Sequence, residues 1–147
     1  MSDAAVAREW IAAVNERDVE RLIALADPEL EVHTPRGVER GHDSARAFIA
    51  RQSYGVAQVI EPTHIFAGPD VAVVFGRTDL RSFETGETMH SYPSAAVFQL
   101  RTGRVIRLAL HGDLPSALAD AGLDEHEHGV PRLMGASASQ GASERPG

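Results

Sequence analysis

The sequence predicts an α+β fold in which three N-terminal helices cover one face of a curved antiparallel sheet. Two observations carry this prediction. Apolar residues recur at helical spacing up to about residue 55, and they alternate with polar residues from residue 56 onward. Helices followed by a run of strands are typical of the α+β class, and an antiparallel sheet tolerates one covered face. A curved sheet that short helices cover only in part leaves a cavity between the two layers.

Capping residues and turn signals place the individual elements. Asp18 is a candidate N-cap of the second helix, and Pro28 ends that helix. Pro62 interrupts the first long strand, and the last helix ends at Gly122. The predicted helices span residues 3–14, 18–27, 43–55 and 113–122, the strands span 29–35, 56–67, 71–83, 88–100 and 104–112, and 36–42 is a turn-rich loop.

Residues 1–123 are predicted to form a single domain around one core. Residues 124–147 are rich in Gly, Ala, Ser and charged side chains, and we expect them to form a disordered tail. The stretch DEHEH (124–128) offers metal-ligand side chains. A charge run in such a tail is more typical of a solvated segment, so we expect no metal site there.

Composition excludes several kinds of chemistry. The 147 residues include no cysteine, which removes disulfides, thiolate catalysis and cysteine-ligated metal sites. All 14 basic residues are arginine, so lysine Schiff-base chemistry and a P-loop lysine are excluded as well. The net charge is −7 and the arginines are scattered, whereas a phosphate backbone needs a clustered positive surface. We therefore expect no cofactor and no nucleic-acid partner.

The sequence also bears on location. Its longest apolar runs are only a few residues long, far too short to span a membrane. The N-terminal stretch MSDAAVAREW lacks the basic and apolar segments of a signal peptide. We expect a cytoplasmic protein without a membrane partner.

Charged residues interrupt an apolar strand in GRTDLRS (76–82), and their orientation decides the character of the cavity. If Thr85 and Gly86 form a two-residue hairpin turn, the strand register follows from the turn. Side chains alternate along a strand, so one face then collects the polar residues. In this register the cavity receives Arg77, Asp79, His90, Tyr92 and Ser94. His33 and His111 fall on the other alternation, where we expect an interface or the surface.

The rest of the same face is apolar. A glycine bulge in the next hairpin places Leu108 opposite Phe98 and Leu110 opposite Ala96. The predicted ligand-binding residues are Trp10, Thr34, Phe48, Phe75, Ser94, Ala96, Phe98, Leu108 and Leu110. In the simpler interpretation the large aromatic members of this set are ordinary core residues.

A different register gives the opposite result for the charged residues. Gly76 is a natural site for a bulge within a strand. A bulge there turns Thr78 inward together with Leu80, and it leaves Arg77 and Asp79 in solvent. Surface ion pairs of that kind contribute only about 0–1 kcal/mol and need no function.

Two parts of the chain resemble one superfamily. Residues 10–54 resemble the ketosteroid-isomerase branch of the nuclear-transport-factor-2-like superfamily, with the helix–helix–strand–loop–helix order of that branch in WIAAVNERDVERLIALADPELEVHTPRGVERGHDSARAF (10–48). Residues 63–114 are similar to limonene-epoxide hydrolase, through RTD (77–79), AVFQL (96–100) and a final strand that leads into DL (113–114). ALADAGL (117–123) is common among SnoaL-like members. The resemblance implies a cystatin-like cone fold with a small-molecule cavity.

The resemblance transfers only part of a catalytic site. The three ketosteroid-isomerase positions fall on Thr34, Trp10 and Ala96, which excludes that reaction. The epoxide-hydrolase arginine and acid match Arg77 and Asp79, whereas the position of the base falls on Leu110. The predicted catalytic set is therefore Asp79, Arg77, His90 and Tyr92, with His90 as the available base.

Three functional hypotheses remain open at this point. The chain is a cofactor-independent hydrolase, lyase or isomerase acting on a small apolar organic substrate, or it is a non-catalytic module that binds such a ligand. In the third hypothesis it is a dimerisation or protein-interaction domain with a vestigial cavity. We also expect a homodimer formed through the open face of the sheet, because one covered face leaves the other available.

Overall fold

A computed structural model describes residues 1–34, 37–50 and 56–124, with only the backbone described for residues 48–50. The order of elements confirms the α+β class. The elements are α1 (Asp3–Glu16), α2 (Val19–Leu25), β1 (Ala26–Thr34), β2 (Gly37–Arg40), α3 (His42–Ala50), β3 (Val56–Gly68), β4 (Val71–Ser82), β5 (Thr88–Arg101), β6 (Arg104–His111) and α4 (Leu114–Ala121). Within these described residues, no helix is long and apolar enough to cross a membrane.

The six strands form one curved sheet in the order β2-β1-β6-β5-β4-β3. The sheet is mixed, because β1 runs parallel to β6 while the other neighbours are antiparallel. The prediction of a purely antiparallel sheet is wrong for this pair. Residues 37–40, predicted as part of a loop, instead turn back as the short strand β2. The end of the third helix at Gly55 and the tail after Asp124 lie outside the described residues.

Helix α1 is fixed at both ends. Ser2 caps its start by accepting a 3.1 Å hydrogen bond from the backbone nitrogen of Ala5. Near its end, the side-chain amide of Asn15 bonds both the nitrogen and the oxygen of Ile60 in β3, each over 2.8 Å. This two-bond clamp holds α1 on the outer strand of the sheet.

Apolar side chains pack on both faces of the sheet. The helix face carries Ala72, Val74 and Phe98, which are buried under α1 and α2. The opposite face carries Val73 and Val97, which are buried against α4. The predicted cover by the N-terminal helices is present, and α4 covers part of the face that was expected to be open.

The two hairpins differ in how well their registers are predicted. Ala96 pairs with Leu110 and Phe98 pairs with Leu108, as expected from a bulge in the second hairpin. In the first hairpin the predicted register is wrong by one residue, because Thr78 rather than Asp79 faces Tyr92. The hairpin closes through a four-residue loop, Phe83–Gly86, with hydrogen bonds between Ser82 and Glu87 and between Gly86 and Ser82.

A bulge in β3 lies against the centre of β4. Pro62 pairs with Gly76 and His64 pairs with Phe75, so Thr63 is an extra residue. The backbones approach closely here: a Cβ added at Gly76 would lie 2.1 Å from the backbone oxygen of Glu61. Only glycine fits this position.

Candidate functional site

A cavity of about 290 Å³ lies between α1 and the helix face of the sheet. Ile11 closes it from α1, and β6 ends beside it at His111 and Gly112. Its wall is mostly apolar and comes from all of β3 to β6. The lining residues are Ile11, Gln58, Ile60, Val74, Gly76, Thr78, Tyr92, Pro93, Ser94, Ala95, Ala96, Leu110, His111 and Gly112.

Two pairs of uncharged polar groups stand in this wall. The hydroxyl groups of Thr78 and Ser94 lie 2.7 Å apart, and Gln58 donates a 3.3 Å hydrogen bond to the Tyr92 hydroxyl group. A single hydrogen bond between two hydroxyl groups uses one of their two protons, so the other remains able to donate. The Tyr92 hydroxyl accepts from Gln58 and keeps its own proton as a donor. The wall thus offers donors to an oxygen of a bound molecule.

None of the described residues that line the cavity is an aspartate, a glutamate or an arginine. Leu110, onto which the resemblance places the base of an epoxide hydrolase, lines the cavity as an apolar side chain. The described part of the wall therefore holds no carboxylate pair for such a reaction.

Asp79 and Arg77 lie on the opposite face of the sheet, so the prediction that they enter the cavity is wrong. The carboxylate of Asp79 is only 4% exposed. It accepts hydrogen bonds from Ser91 over 2.6 Å, from Arg77 over 3.0 Å and from Arg81 over 3.2 Å. Arg77 also binds Glu61 over 2.6 Å. The alternative with a bulge at Gly76 predicted this orientation, but it expected Asp79 to be in solvent. The carboxylate is instead buried beneath Ser91, Arg77 and Arg81.

These contacts keep Asp79 ionised. The hydrogen bond from Ser91 is the largest cause that holds its pKa below the usual range. Burial of the carboxyl group raises its pKa. The hydrogen bonds from Ser91, Arg77 and Arg81 together outweigh that effect. A carboxylate with this many donors stabilises the end of the sheet.

The other predicted site residues divide between the cavity wall and the core. Tyr92, Ser94, Ala96 and Leu110 line the cavity. Trp10 and Phe98 are buried in the core, where their rings meet edge to face with centroids 6.1 Å apart, and Leu108 is buried beside them. The binding and catalytic roles of all the predicted site residues remain predictions.

Three of the remaining predicted residues, Phe75, His90 and Thr34, do not line the cavity. Phe75 packs on the opposite face, and His90 is exposed with its ring 5.8 Å from that of Tyr92. Thr34 donates a 3.4 Å hydrogen bond to the backbone oxygen of Gly37 at the end of β1. The side chain of Phe48 lies outside the described residues.

Sequence reasoning missed two polar residues of the wall, Gln58 and His111, and it turned Thr78 inward only in the bulge alternative. His111 follows Leu110 at the end of β6, and its Nε2 atom lies 2.9 Å from Asp120 in α4. Arg107 binds the same carboxylate through contacts of 3.2 and 3.3 Å. Strand alternation directs His111 towards α4, and only the end of β6 brings it to the cavity. The sequence signal that could have indicated this pair is the position of His111 nine residues before Asp120, which lies in the last predicted helix.

The family of the chain follows from a match to a family model. Residues 7–108 match the model of the SnoaL-like domain, which covers most of the described fold and both sides of the cavity. The chain belongs to the SnoaL-like domain family. The expected membership of the nuclear-transport-factor-2-like superfamily is thereby confirmed at the level of this domain.

Solved structures show the same fold as this SnoaL-like domain at low sequence identity. A proposed polyketide cyclase from Pseudomonas putida KT2440 shares 16% identity with a TM-score of 0.67, over 78% of this chain and 94% of that one. TerC, co-crystallised with polyporic acid, shares 21% identity with a TM-score of 0.66, over 82% and 96% of the chains. An uncharacterised cystatin-fold protein from Novosphingobium aromaticivorans shares 16% identity with a TM-score of 0.65, over 76% and 98%.

A search of curated proteins found no match to this SnoaL-like chain. The structural likenesses establish the fold alone, since all of them are below a quarter identical. Among residues 1–34, 37–50 and 56–124, no group of three or more metal-ligand side chains is brought together.

Proposed function

We propose that this SnoaL-like protein binds a small, uncharged and mostly apolar organic molecule in the cavity beneath α1. One observation carries the proposal: among the described residues, the cavity wall is apolar apart from His111 and the uncharged groups of Gln58, Thr78, Tyr92 and Ser94. Ligand sites are commonly apolar with a few polar groups that orient the ligand. At about 290 Å³, the cavity is at the small end of such sites and suits one or two fused rings.

The relatives support an organic ligand. Polyporic acid occupies a crystal of TerC, and several proteins of this fold are proposed polyketide cyclases. In our proposal the wall donors, the hydroxyl groups of Tyr92 and of Thr78 or Ser94, orient one oxygen of the ligand. Apolar contacts with Ile11, Val74 and Leu110 hold its body.

Epoxide-hydrolase-like catalysis has less support than binding. That chemistry needs Arg77 and Asp79 in the cavity, and both side chains belong to the opposite face. It also needs a base where Leu110 stands. A hydrolase, lyase or isomerase function for this cavity must therefore use other residues.

Titration with a simple probe tests the binding proposal. We expect 2-naphthol to bind in isothermal titration calorimetry, and 2-naphthoate to bind at least about tenfold more weakly, because no arginine of the described wall is there to pair with its carboxylate. Ala96→Leu fills the cavity and abolishes binding, whereas Arg77→Gln, on the opposite face, leaves it unchanged. Failure of 2-naphthol and of a wider set of one- and two-ring compounds to bind the folded protein would contradict the proposal.

We further propose that residues 1–123 form the folded unit and that it pairs as a cytoplasmic homodimer. The support is the part of the opposite sheet face that α4 leaves uncovered, where Arg77 is more than half exposed beside Glu61. Arginine and glutamate together make this surface self-complementary in charge. Light scattering of the full chain and of residues 1–123 tests this, and a monomeric mass for both would contradict it.

A further inference from the structure

A glutamine on the edge strand β3 reaches a tyrosine two strands away. Gln58 lies on β3 and Tyr92 on β5, and both half-buried residues line the cavity. Strand β4 runs between them, with Thr78 as the direct partner of Tyr92. The side-chain amide nitrogen of Gln58 lies 3.3 Å from the Tyr92 hydroxyl group and donates a hydrogen bond to it. The amide and the phenol thus form a polar bridge along the cavity wall.

This bridge gives the Tyr92 hydroxyl group a defined polarity. A phenolic hydroxyl group has one proton to donate, and its oxygen accepts hydrogen bonds. Because Gln58 donates to that oxygen, the bond leaves the proton of Tyr92 available to a molecule in the cavity. A hydrogen bond received from an amide also polarises the hydroxyl group and strengthens the next bond in the chain. Tyr92 therefore presents a donor to the ligand.

The other polar groups of the described wall impose no such direction on a ligand. The hydroxyl groups of Thr78 and Ser94 lie 2.7 Å apart, and either of them can be the donor. One proton and several lone pairs remain in both cases, so this pair serves a ligand donor as well as a ligand acceptor. His111 is turned towards Asp120 of α4. Discrimination between ligand donors and ligand acceptors therefore depends on Tyr92.

We propose that Gln58 sets the hydrogen-bond polarity of the cavity through Tyr92, so that the cavity selects ligands that carry a carbonyl oxygen. The inference rests on the proposed ligand-binding function and narrows its ligand class to uncharged one- or two-ring ketones, quinones and lactones. Such molecules combine an acceptor with an apolar body and bring no proton that needs a partner. Tyr92 contacts the ligand, and Gln58 is the positioning residue that keeps its proton available.

A ligand that offers only a donor is rejected for a physical reason. Such a ligand can use the hydroxyl pair of Thr78 and Ser94, but it buries the proton of Tyr92 without an acceptor. A buried polar group that is left unsatisfied costs free energy. Sites built to hydrogen-bond one group of a ligand discriminate strongly against analogues that lack it. We therefore expect a preference of at least about tenfold for a carbonyl ligand over a donor-only ligand of similar size.

Two flat two-ring probes of similar size measure this preference. 1-Indanone has a carbonyl acceptor and no donor, whereas indole has an N–H donor and no lone pair in the plane of its rings. Isothermal titration calorimetry of the wild-type chain gives the Kd of each probe. We expect the Kd of 1-indanone to be at least about tenfold lower than that of indole.

Gln58→Glu is the decisive variant, because an ionised carboxylate only accepts hydrogen bonds. The titrations are made at about pH 8, where a glutamate side chain is ionised. Tyr92 then donates its proton to the introduced carboxylate, and its oxygen faces the ligand as an acceptor. We expect the order of the two probes to reverse, with tighter binding of indole and weaker binding of 1-indanone. A merely structural role of Gln58 would instead weaken both probes in parallel.

Three further variants complete the test. Tyr92→Phe removes the hydroxyl group, so we expect the two probes to bind within about twofold of each other. Gln58→Leu removes the amide donor and leaves the Tyr92 hydroxyl group able to donate or to accept, which reduces the preference for 1-indanone without reversing it. Gln99→Glu is the matched control, because Gln99 does not line the cavity and the same chemical change there leaves both affinities unchanged.

Binding and selectivity are scored separately. If 2-naphthol binds while the wild type holds both probes equally or prefers indole, the polarity assignment is overturned and the binding function stands. A parallel loss of both probes in Gln58→Glu overturns the assignment as well. Should that variant fail to fold, an unreduced preference for 1-indanone in Gln58→Leu and Tyr92→Phe overturns it. If neither 2-naphthol nor either probe binds the folded wild type, the proposed function fails, and this inference fails with it.

Discussion

Asp79 accepts a 2.6 Å hydrogen bond from Ser91, its direct partner across the β4–β5 pair. This bond places a nearly buried carboxylate on the sheet face away from the cavity. Thr78, the preceding residue, points the other way and meets Ser94 in the cavity wall. Adjacent residues of β4 therefore serve two separate networks, one ionic and one of uncharged hydroxyl groups.

The ionic network predicts a pH dependence of stability. The folded-state pKa of Asp79 is lowered, first by Ser91, so its contribution to stability is fully present above the unfolded value near 3.8. It is lost as the pH falls further, through the folded-state pKa. We expect Asp79→Asn to lower the melting temperature at pH 7 and to make the acid end of the stability curve less steep, as measured by circular dichroism.

Asp43 provides the control for this prediction. It is an aspartate on the surface of α3 with a side chain that is 92% exposed, and it forms an ion pair with Arg46. Because exposed pairs contribute little, Asp43→Asn leaves both the melting temperature and the acid slope nearly unchanged. Equal effects of the two substitutions would contradict the assigned role of Asp79.

The hydroxyl pair predicts a separation of stability from binding. Thr78→Val combined with Ser94→Ala removes both partners of one hydrogen bond, which is close to neutral for folding when the shapes match. The same double substitution removes a donor from the cavity wall and lowers the affinity for 2-naphthol by about tenfold. Denaturant melts and calorimetric titration of the same sample measure the two effects, and a matched loss of both would contradict a ligand-orienting role.

The Asn15 clamp predicts a graded loss of stability. Asn15→Ala leaves the nitrogen and the oxygen of Ile60 without their side-chain partner, at a cost of about 1–3 kcal/mol in the free energy of unfolding. Asn15→Asp retains the acceptor for the Ile60 nitrogen, but it sets a carboxylate oxygen against the Ile60 oxygen, where two acceptors repel each other. We expect urea denaturation to rank the aspartate variant at or below the alanine variant, and wild-type stability of either variant would be inconsistent with the clamp.

Close packing of β3 on β4 predicts that position 76 tolerates no side chain. In Gly76→Ala the new methyl group meets the Glu61 oxygen and the Pro62 Cα atom, both of them backbone atoms that cannot turn away. Overpacking of this kind costs about 1–3 kcal/mol. Gly112→Ala is the matched control, because an added Cβ there meets nothing within 4 Å. Equal unfolding midpoints for the two variants would refute the close approach.

Local signals in the sequence were sufficient for the elements and for the second hairpin. Asp18 caps α2 and Gly122 ends α4, as the residue types indicate. The bulge near the Thr102–Gly103 turn set the β5–β6 register correctly, because a glycine with positive φ closes that turn. Each of these features depends only on residues close together in the chain.

The face of β4 depended on more than local signals. The predicted two-residue turn and the observed four-residue loop both place Gly86 where a positive φ is suited. The glycine alone therefore does not decide the length of the loop. The apolar half of β4 offers no help, since Val73 and Val74 are both buried, one on each face. His111 was missed for a similar reason: it reaches the cavity because β6 stops, and the end of a strand is not encoded in alternation.

The two bulges beside β4 have a consequence for protein engineering. Thr63 is the extra residue in β3 and Met89 is the extra residue in β5, so β4 is held between two neighbours that each carry one residue more than their pairing requires. A slide of β4 by a single position would exchange its two sets of side chains, and it would also bring Phe75 or Arg77 to the site that only glycine fits. Changing the length of the Phe83–Gly86 loop by one residue is therefore not enough to bring arginine and aspartate into the cavity, because the glycine has to be moved along β4 as well.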